Sequence, residues 1–294
     1  MFEGATALKW GVERRLEFIE FRLFWEGGVN RSDIIDMFDV SVPQASKDLT
    51  LYQERAPQNA IYDKSAKRYV AGRQFSPIFL KPDPDGYLSR LRSLAEGLTE
   101  PGESWIAGPP ETDIALSPRR QVDIAVLQAV LGAVRKGQSL EVRYQSMSRE
   151  RADPVWRRMT PHAFGYDGFR WHVRAYCHID HKFKDFLLPR ILGVRGPGDP
   201  GSSPDQDRQW NETFDVEIGP HPDLTPSQKA VVAKDFGMKN DRAILTVRYA
   251  MLFYVLKRLG LLGDATKQSS RTQHIVTLNR EATEAAMQVA EIQL

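Results

Sequence analysis

Between Arg170 and His178 the sequence alternates apolar and polar residues. In a strand the side chains point to opposite faces with period two. Trp171, Val173, Ala175 and Cys177 then share one face, which reads as core. His172, Arg174, Tyr176 and His178 share the other, a polar, cationic and aromatic surface. Neighbouring strand candidates add Tyr144 and Ser146, then Thr160, His162 and Tyr166, then Lys184 and Arg190. Between residues 141 and 195 eleven basic side chains, Arg149 and Arg151 among them, stand against six acidic ones. Arginine offers paired donors to phosphate, and aromatic rings stack on bases. Tyr144, Ser146, His162, His172, Arg174, Tyr176, Lys184 and Arg190 are therefore the candidate ligand-binding residues, suited to a phosphate or a nucleobase. The plain alternative is a solvated outer sheet face.

A second stretch suits nucleic acid. Val42, Ala45, Leu49 and Tyr52 recur at helical spacing. Ser41 can cap that helix, and Pro43 sits in its first turn, where a missing N–H costs little. The opposite side presents Pro43, Gln44, Ser46, Lys47 and Thr50. Gln44 suits an adenine edge, Ser46 a base or a phosphate, and Lys47 a guanine or a phosphate. Just beyond, Ile61–Asp63 and Arg68–Val70 flank Lys64-Ser65-Ala66-Lys67, a hairpin with a basic tip. Lys64, Lys67 and Arg68 suit phosphate or minor-groove contacts. Six basic residues stand against three acidic ones over residues 41–73.

These groups need elements to hold them. Trp10, Leu16, Ile19, Leu23 and Phe24 give an amphipathic helix that stops at Gly27-Gly28. A second helix starts after Asn30, with Asp33 three residues on and Ile34, Ile35 and Phe38 on its buried face. Two helices joined by a tight turn, then a basic hairpin, make a winged helix-turn-helix, whose second helix enters the major groove. The same unit used for protein contacts is the alternative reading.

Prolines crowd residues 81–120, a linker region with helices predicted over Tyr87–Leu98 and Arg120–Val134. From Leu140 the period changes to two. Strands are predicted over Leu140–Met147, Met159–Tyr166, Arg170–His178 and Lys182–Ile191, with a hairpin turn at Asp167-Gly168. Gly196–Gly201 reads as a break. Beyond it come strands at Thr213–Ile218, Ala243–Tyr249 and Gln273–Leu278, helices at Pro226–Phe236 and Met251–Leu261, and a short tail. The whole is an α+β multidomain chain. The predicted domains are a winged helix at 1–76, linker helices at 77–138, a small β-barrel at 139–195 and an α+β extension at 210–294.

Composition narrows the function classes. The 294 residues carry a formal net charge of +2, so the total charge implies no partner. Cys177 is the only cysteine, which excludes an intrachain disulfide and a zinc site built on several thiolates. No apolar run reaches roughly 18 residues. Charges at Glu3, Lys9, Glu13, Arg14 and Arg15 interrupt any leader-like core. A soluble cytoplasmic protein is expected. His172, Cys177, His178, Asp180 and His181 form the only metal-like cluster, but Cys177 and His178 point to opposite faces of a strand. No metal or other cofactor is expected. No phosphate loop, nucleophile elbow or zinc-protease motif is present, so the chain is not read as an enzyme. The rival reading is a nucleotide-processing enzyme, or an RNA-binding module, that uses the cationic sheet.

The stretch Phe169-Arg170-Trp171-His172-Val173-Arg174-Ala175-Tyr176 resembles the signature region of the WYL domain of bacterial transcriptional regulators. Here the signature reads Trp-His-Val, so only its tryptophan is literal. Pro161-His162-Ala163, Phe183-Lys184-Asp185-Phe186 and Arg190-Ile191 also look like landmarks of that family. The layout of winged helix, linker helices, WYL domain and C-terminal extension is similar to the regulators encoded beside bacterial phage-defence operons. The resemblance implies an SH3/Sm-like β-barrel that binds a nucleotide or nucleic-acid ligand. It also implies a homodimer, usually a repressor, that binds double-stranded DNA at a palindromic operator. The departures at His172 and Val173 leave the ligand's identity open.

Overall fold

The computed structural model describes residues 9–115, 118, 120–148 and 152–290. Arg149 and Arg151, counted above, lie outside them. The chain divides into two units, one up to residue 117 and one from residue 118.

In the first unit α1 (Trp10–Trp25), α2 (Arg31–Phe38) and α3 (Val42–Arg55) precede β1 (Ala60–Asp63), β2 (Arg68–Ala71) and α4 (Pro84–Ala95). The caps act as expected. The Asn30 side chain accepts from the Asp33 N–H, and the Asp33 carboxylate accepts from the Asn30 N–H. Such a cap is worth about 1 kcal/mol. Asp39 ends α2 in the left-handed region (φ 49°), which a short polar side chain tolerates, and Ser41 caps α3. Leu16, Ile19, Leu23, Ile34, Ala45, Leu49 and Tyr52 share one core. Trp10 and Phe24, read as part of the apolar face of α1, are instead exposed. They lie at the two ends of the helix, where Phe24 meets the rings of Trp25 and Phe75.

The hairpin pairs Ile61 with Val70 and Asp63 with Arg68. Asp63 folds its tip by accepting from the Ser65 and Ala66 N–H groups. Val29 exchanges both backbone hydrogen bonds with Tyr69 at 2.8 Å, which fixes the hairpin to the loop before α2. The fully buried Glu20 carboxylate accepts from the backbone N–H groups of Ile78, Phe79 and Leu80 and from the Tyr52 hydroxyl. The chain leaving the hairpin is thereby held on α1. Helix α4 packs Tyr87, Leu91 and Leu94 against the same core.

The second unit begins with α5 (Ile124–Lys136). Then come β3 (Ser139–Tyr144), β4 (Val155–Tyr166), β5 (Trp171–Cys177), β6 (Lys182–Leu187) and β7 (Ile191–Gly198). They form an antiparallel sheet in the order β6-β5-β4-β3-β7. Register shifts in β3/β7 and β4/β5 mark bulges, which bend strands. Gly168, at φ +88°, turns β4 into β5. Helix α5 covers one face with Val126, Val130 and Ala133 over Val142, Met159, Val173, Ala175 and Cys177. Strand β7 runs through Gly196, Pro197 and Gly198, residues whose types predict a break. It lies at the sheet edge, where these residues are tolerated.

A segment of residues 199–207 leads to α6 (Arg208–Asn211). Beyond lie β8 (Thr213–Pro220), α7 (Pro226–Asp235), β9 (Ala243–Arg248), α8 (Tyr249–Arg258), β10 (Ile275–Thr277) and α9 (Arg280–Val289). The strands form a second antiparallel sheet in the order β10-β8-β9. The expected tail is in part α9, whose inward face of Thr283, Ala286 and Met287 is built from small or polar residues apart from the methionine. No helix of the described residues is long and apolar enough to cross a membrane.

Candidate functional site

The polar side of α3 is braced from below. Asp48, buried, receives Arg15 Nε at 2.6 Å and Arg15 Nη2 at 3.2 Å, which ties α3 to α1. Gln44 Nε2 also donates to Asp48, at 3.0 Å. That bond orients the amide and leaves its carbonyl and second N–H available. The Ser46 and Thr50 hydroxyls donate back to the carbonyls of Val42 and Ser46. They can still accept from a base. Ser41 accepts from the Gln44 N–H, and Pro43 is exposed at the helix start. Lys47 on α3, and Lys64 and Lys67 at the hairpin tip, are exposed, and their ammonium groups have no ion-pair partner among the described residues. Lys67 adopts the left-handed conformation (φ 52°) that closes the tip. Arg68 differs: its Nη2 donates to the Glu26 carbonyl at 3.3 Å, so it fastens the hairpin to the end of α1. The brace through Arg15 was missed; a basic residue 33 positions from its partner gives no local signal.

On the sheet, alternation along β5 holds for Val173, Ala175 and Cys177, all fully buried. Trp171 departs from it. It is 53% exposed at the strand's first residue and lies 4.8 Å from the Tyr166 ring. The opposite face departs more. His172 and Arg174, expected at a surface, are each only 4% exposed. Residues beyond β7 cover them. Asp207 receives Arg174 Nε at 2.7 Å, Arg174 Nη2 at 3.0 Å and His162 Nε2 at 3.0 Å. Gln209 accepts from Arg174 Nη2 at 2.8 Å, and Asp185 from Nη1 at 3.3 Å. The Tyr254 hydroxyl donates to Asp185, and its ring lies 4.7 Å from His172. His172 Nε2 donates to Asp167, which also receives Arg170 Nε.

These contacts set the charge states. Burial disfavours the Asp167 carboxylate, but hydrogen bonds from His172, Arg170 and two backbone N–H groups outweigh it and hold its pKa at about 2. Asp207 is likewise held below the ordinary carboxylate range, with His162 and Arg174 overcoming burial. Burial works against the Arg174 cation, yet Asp207 and Asp185 raise its pKa above normal. Burial, with the charges of Arg158 and His181, lowers His178 and favours its neutral ring beside Thr160.

A cleft of about 460 Å³ opens beside Arg174, lined also by Tyr176, Phe183, Lys184, Asp185, Asp207, Gln209 and Tyr254. Arg174, Tyr176 and Lys184 thus meet there, with His162 and His172 buried behind. Lys184 pairs with Asp180 at 2.9 Å and lies opposite Ala175 in register, so it belongs to the strand's apolar side and reaches only the rim. Three candidates lie elsewhere. Tyr144 faces the core, edge-on to Phe186, and its hydroxyl accepts from the Leu187 N–H. Ser146 lies past the end of β3 and bonds Ser148. Arg190 lies in the turn before β7. The buried Cys177 donates to Asp180 at 3.3 Å. Among the described residues no three His, Cys, Asp or Glu side chains converge to hold a metal.

Three family models match the chain: the BrxR transcriptional regulator winged helix-turn-helix domain at residues 11–93, the WYL domain at 125–195, and the BrxR transcriptional regulator C-terminal dimerization domain at 213–283. A Stenotrophomonas maltophilia protein described as the DNA-binding transcriptional repressor CapW is 41% identical over 283 residues, 95% of this chain and 93% of that one. Its Pseudomonas aeruginosa counterpart is 37% identical over 283 residues, with the same shares of both chains. An Escherichia coli counterpart is 34% identical over 281 residues, again 95% and 93%.

Proposed function

This chain belongs to the family of the CapW transcriptional repressors, and we propose that it is itself a sequence-specific repressor that binds an inverted-repeat operator as a homodimer. One observation carries the reading. The Arg15–Asp48 pair, with its carboxylate buried, holds α3 so that Lys47 and the second Gln44 amide N–H are unspent donors. Gln44 and Lys47 read base edges in the major groove, with Ser46 and Thr50 beside them. Lys64 and Lys67 neutralise phosphates, while Ser41 and Pro43 start the helix against the backbone. The match of residues 213–283 to a dimerization domain supports a two-fold assembly. A two-fold protein calls for half-sites centred about 34–36 Å apart, or a multiple of that.

The cleft beside Arg174 is the place for a regulatory nucleotide or nucleic-acid ligand. Such a ligand shifts operator affinity only by binding two states of the dimer unequally. Selection of DNA by the full chain from a random pool, with the mass of the complex measured in solution, tests the proposal. The expected result is an enriched inverted repeat bound by two copies. No enrichment, or a single half-site bound by one copy, contradicts it.

A further inference from the structure

The Arg174 guanidinium is already engaged on every nitrogen: Nε by Asp207, Nη2 by Asp207 and Gln209, and Nη1 by Asp185. The Asp207 carboxylate is as fully used. Its Oδ2 accepts from His162 and Arg174 Nε, and its Oδ1 from Arg174 Nη2 and the Trp210 N–H. Parallel guanidinium donors, an imidazole and a backbone N–H converging on two oxygens make an arrangement that holds a phosphate. Here a side chain of the same molecule fills it. Four of the five Arg174 N–H donors are spent, so an anion can take paired donors from Arg174 only in the place of a carboxylate.

Asp207 ends the strap of residues 199–207. The strap is pressed onto β4 and β5 at its other end, where the Gly201 N–H donates to Thr160 Oγ1 at 2.9 Å. A Cβ at Gly201 would stand 2.6 Å from His178 Nε2 and 2.9 Å from the Tyr176 ring, so only glycine fits there. Past Asp207 the chain enters α6, which Asp207 caps. Helix α6 is joined to the C-terminal elements. The Trp210 carbonyl accepts from Arg248 of β9, and Gln209 Nε2 donates to the Ala290 carbonyl. One carboxylate thus plugs the anion position, ends the strap and starts the helix leading into the β8–β10 sheet.

We infer that Asp207 is an internal competitor for the phosphate position of the cleft, and that a phosphorylated ligand binds by displacing it. The inference rests on the reading of this cleft as the ligand site. Displacement frees the strap and uncaps α6, so binding at β5 is felt where the chain enters the C-terminal sheet. The occupant must bring a group that accepts from Arg174 and His162 together, as a terminal phosphate does; a neutral nucleoside does not. Its apparent affinity is reduced by the fraction of molecules with the strap seated.

The test uses the full chain and inorganic phosphate as the probe, with binding followed by phosphorus NMR and the strap by hydrogen exchange. Asp207→Asn keeps a capping side chain for α6 but removes the competing charge. It is expected to tighten phosphate binding by about tenfold or more. Gly201→Ala lifts the strap while leaving Arg174, His162 and Asp207 unchanged, although it presses on the Tyr176 ring, and should tighten binding in the same direction. In the unmodified chain, phosphate should speed exchange over residues 199–212. Arg174→Lys, which keeps the charge but loses the paired donors, should abolish binding. If Arg174→Lys abolishes binding while neither Asp207→Asn nor Gly201→Ala changes it, the cleft is the ligand site and the competitor is refuted. If phosphate binding is indifferent to Arg174, or absent from every variant, the inference fails together with the reading of the cleft.

Discussion

The two polar faces of this chain use similar side chains and end in opposite states. On α3 the brace is buried and the readers are open: Arg15 and Asp48 satisfy each other below, while Lys47 and part of Gln44 remain for an outside partner. On β5 the potential readers are themselves buried, and carboxylates of the same chain hold them. An element that binds a large external polyanion must leave its donors unspent, because water is the only partner it gives up. A face whose cation is already paired can bind only by exchange. The difference lies in what covers the face and not in its residue types.

The sharpest break of this comparison is Arg174→Ala. It leaves Asp207 buried and Asp185 half-buried without their cation, and breaking a buried pair costs about 3–5 kcal/mol. Chemical denaturation should show that loss, and a loss under about 1 kcal/mol would mean that the face is in effect solvated. Next, Lys47→Ala and Gln44→Ala should each weaken operator binding by about 1–3 kcal/mol in titrations, with little change in unfolding midpoint. A large loss of stability in either variant would make α3 resemble β5. A smaller effect separates the faces by pH. The Asp167 pKa of about 2 lies below the ordinary 3.8, so the native state binds fewer protons than the unfolded chain. Its contribution is complete well above pH 4 and is lost as pH falls through about 2. Acid titration of stability should therefore be shallower in Asp167→Asn. The smallest effect is expected for the pair Arg195–Glu141 at the surface, where Glu141→Gln, which leaves Arg195 over the Trp156 ring, should cost at most about 1 kcal/mol by denaturation.

Much of the first unit was legible in the sequence because its signals are local. Apolar spacing marks α1 to α3, Asn30 and Ser41 mark their starts, and Lys64–Lys67 marks the hairpin tip. On β5 the alternation correctly separates Val173, Ala175 and Cys177 from His172 and Arg174. It is silent on which residues cover the second set. Asp207 lies 33 positions from Arg174, in a stretch of Pro, Gly and Ser that reads as a linker. The one available signal was its place just before Arg208-Gln209-Trp210, as a helix cap. Tyr144 was misplaced because its phenol reads as polar, whereas its ring fills the core and only its oxygen bonds a backbone N–H. For Arg68, side-chain type suggests a phosphate contact but says nothing of the Glu26 carbonyl that one of its N–H groups also reaches.

The central claim is that α3 offers unspent donors to a duplex. The most direct test compares the full chain and Lys47→Ala on promoter DNA across a range of salt concentrations. The account predicts sequence-selective binding that weakens steeply with salt. If Lys47 holds a phosphate, its removal should flatten the log–log slope by about 1; if it reads guanine, selectivity should relax at one base position. Binding that ignores both salt and sequence, or a Lys47→Ala variant identical to the parent in affinity, slope and selectivity, would contradict it.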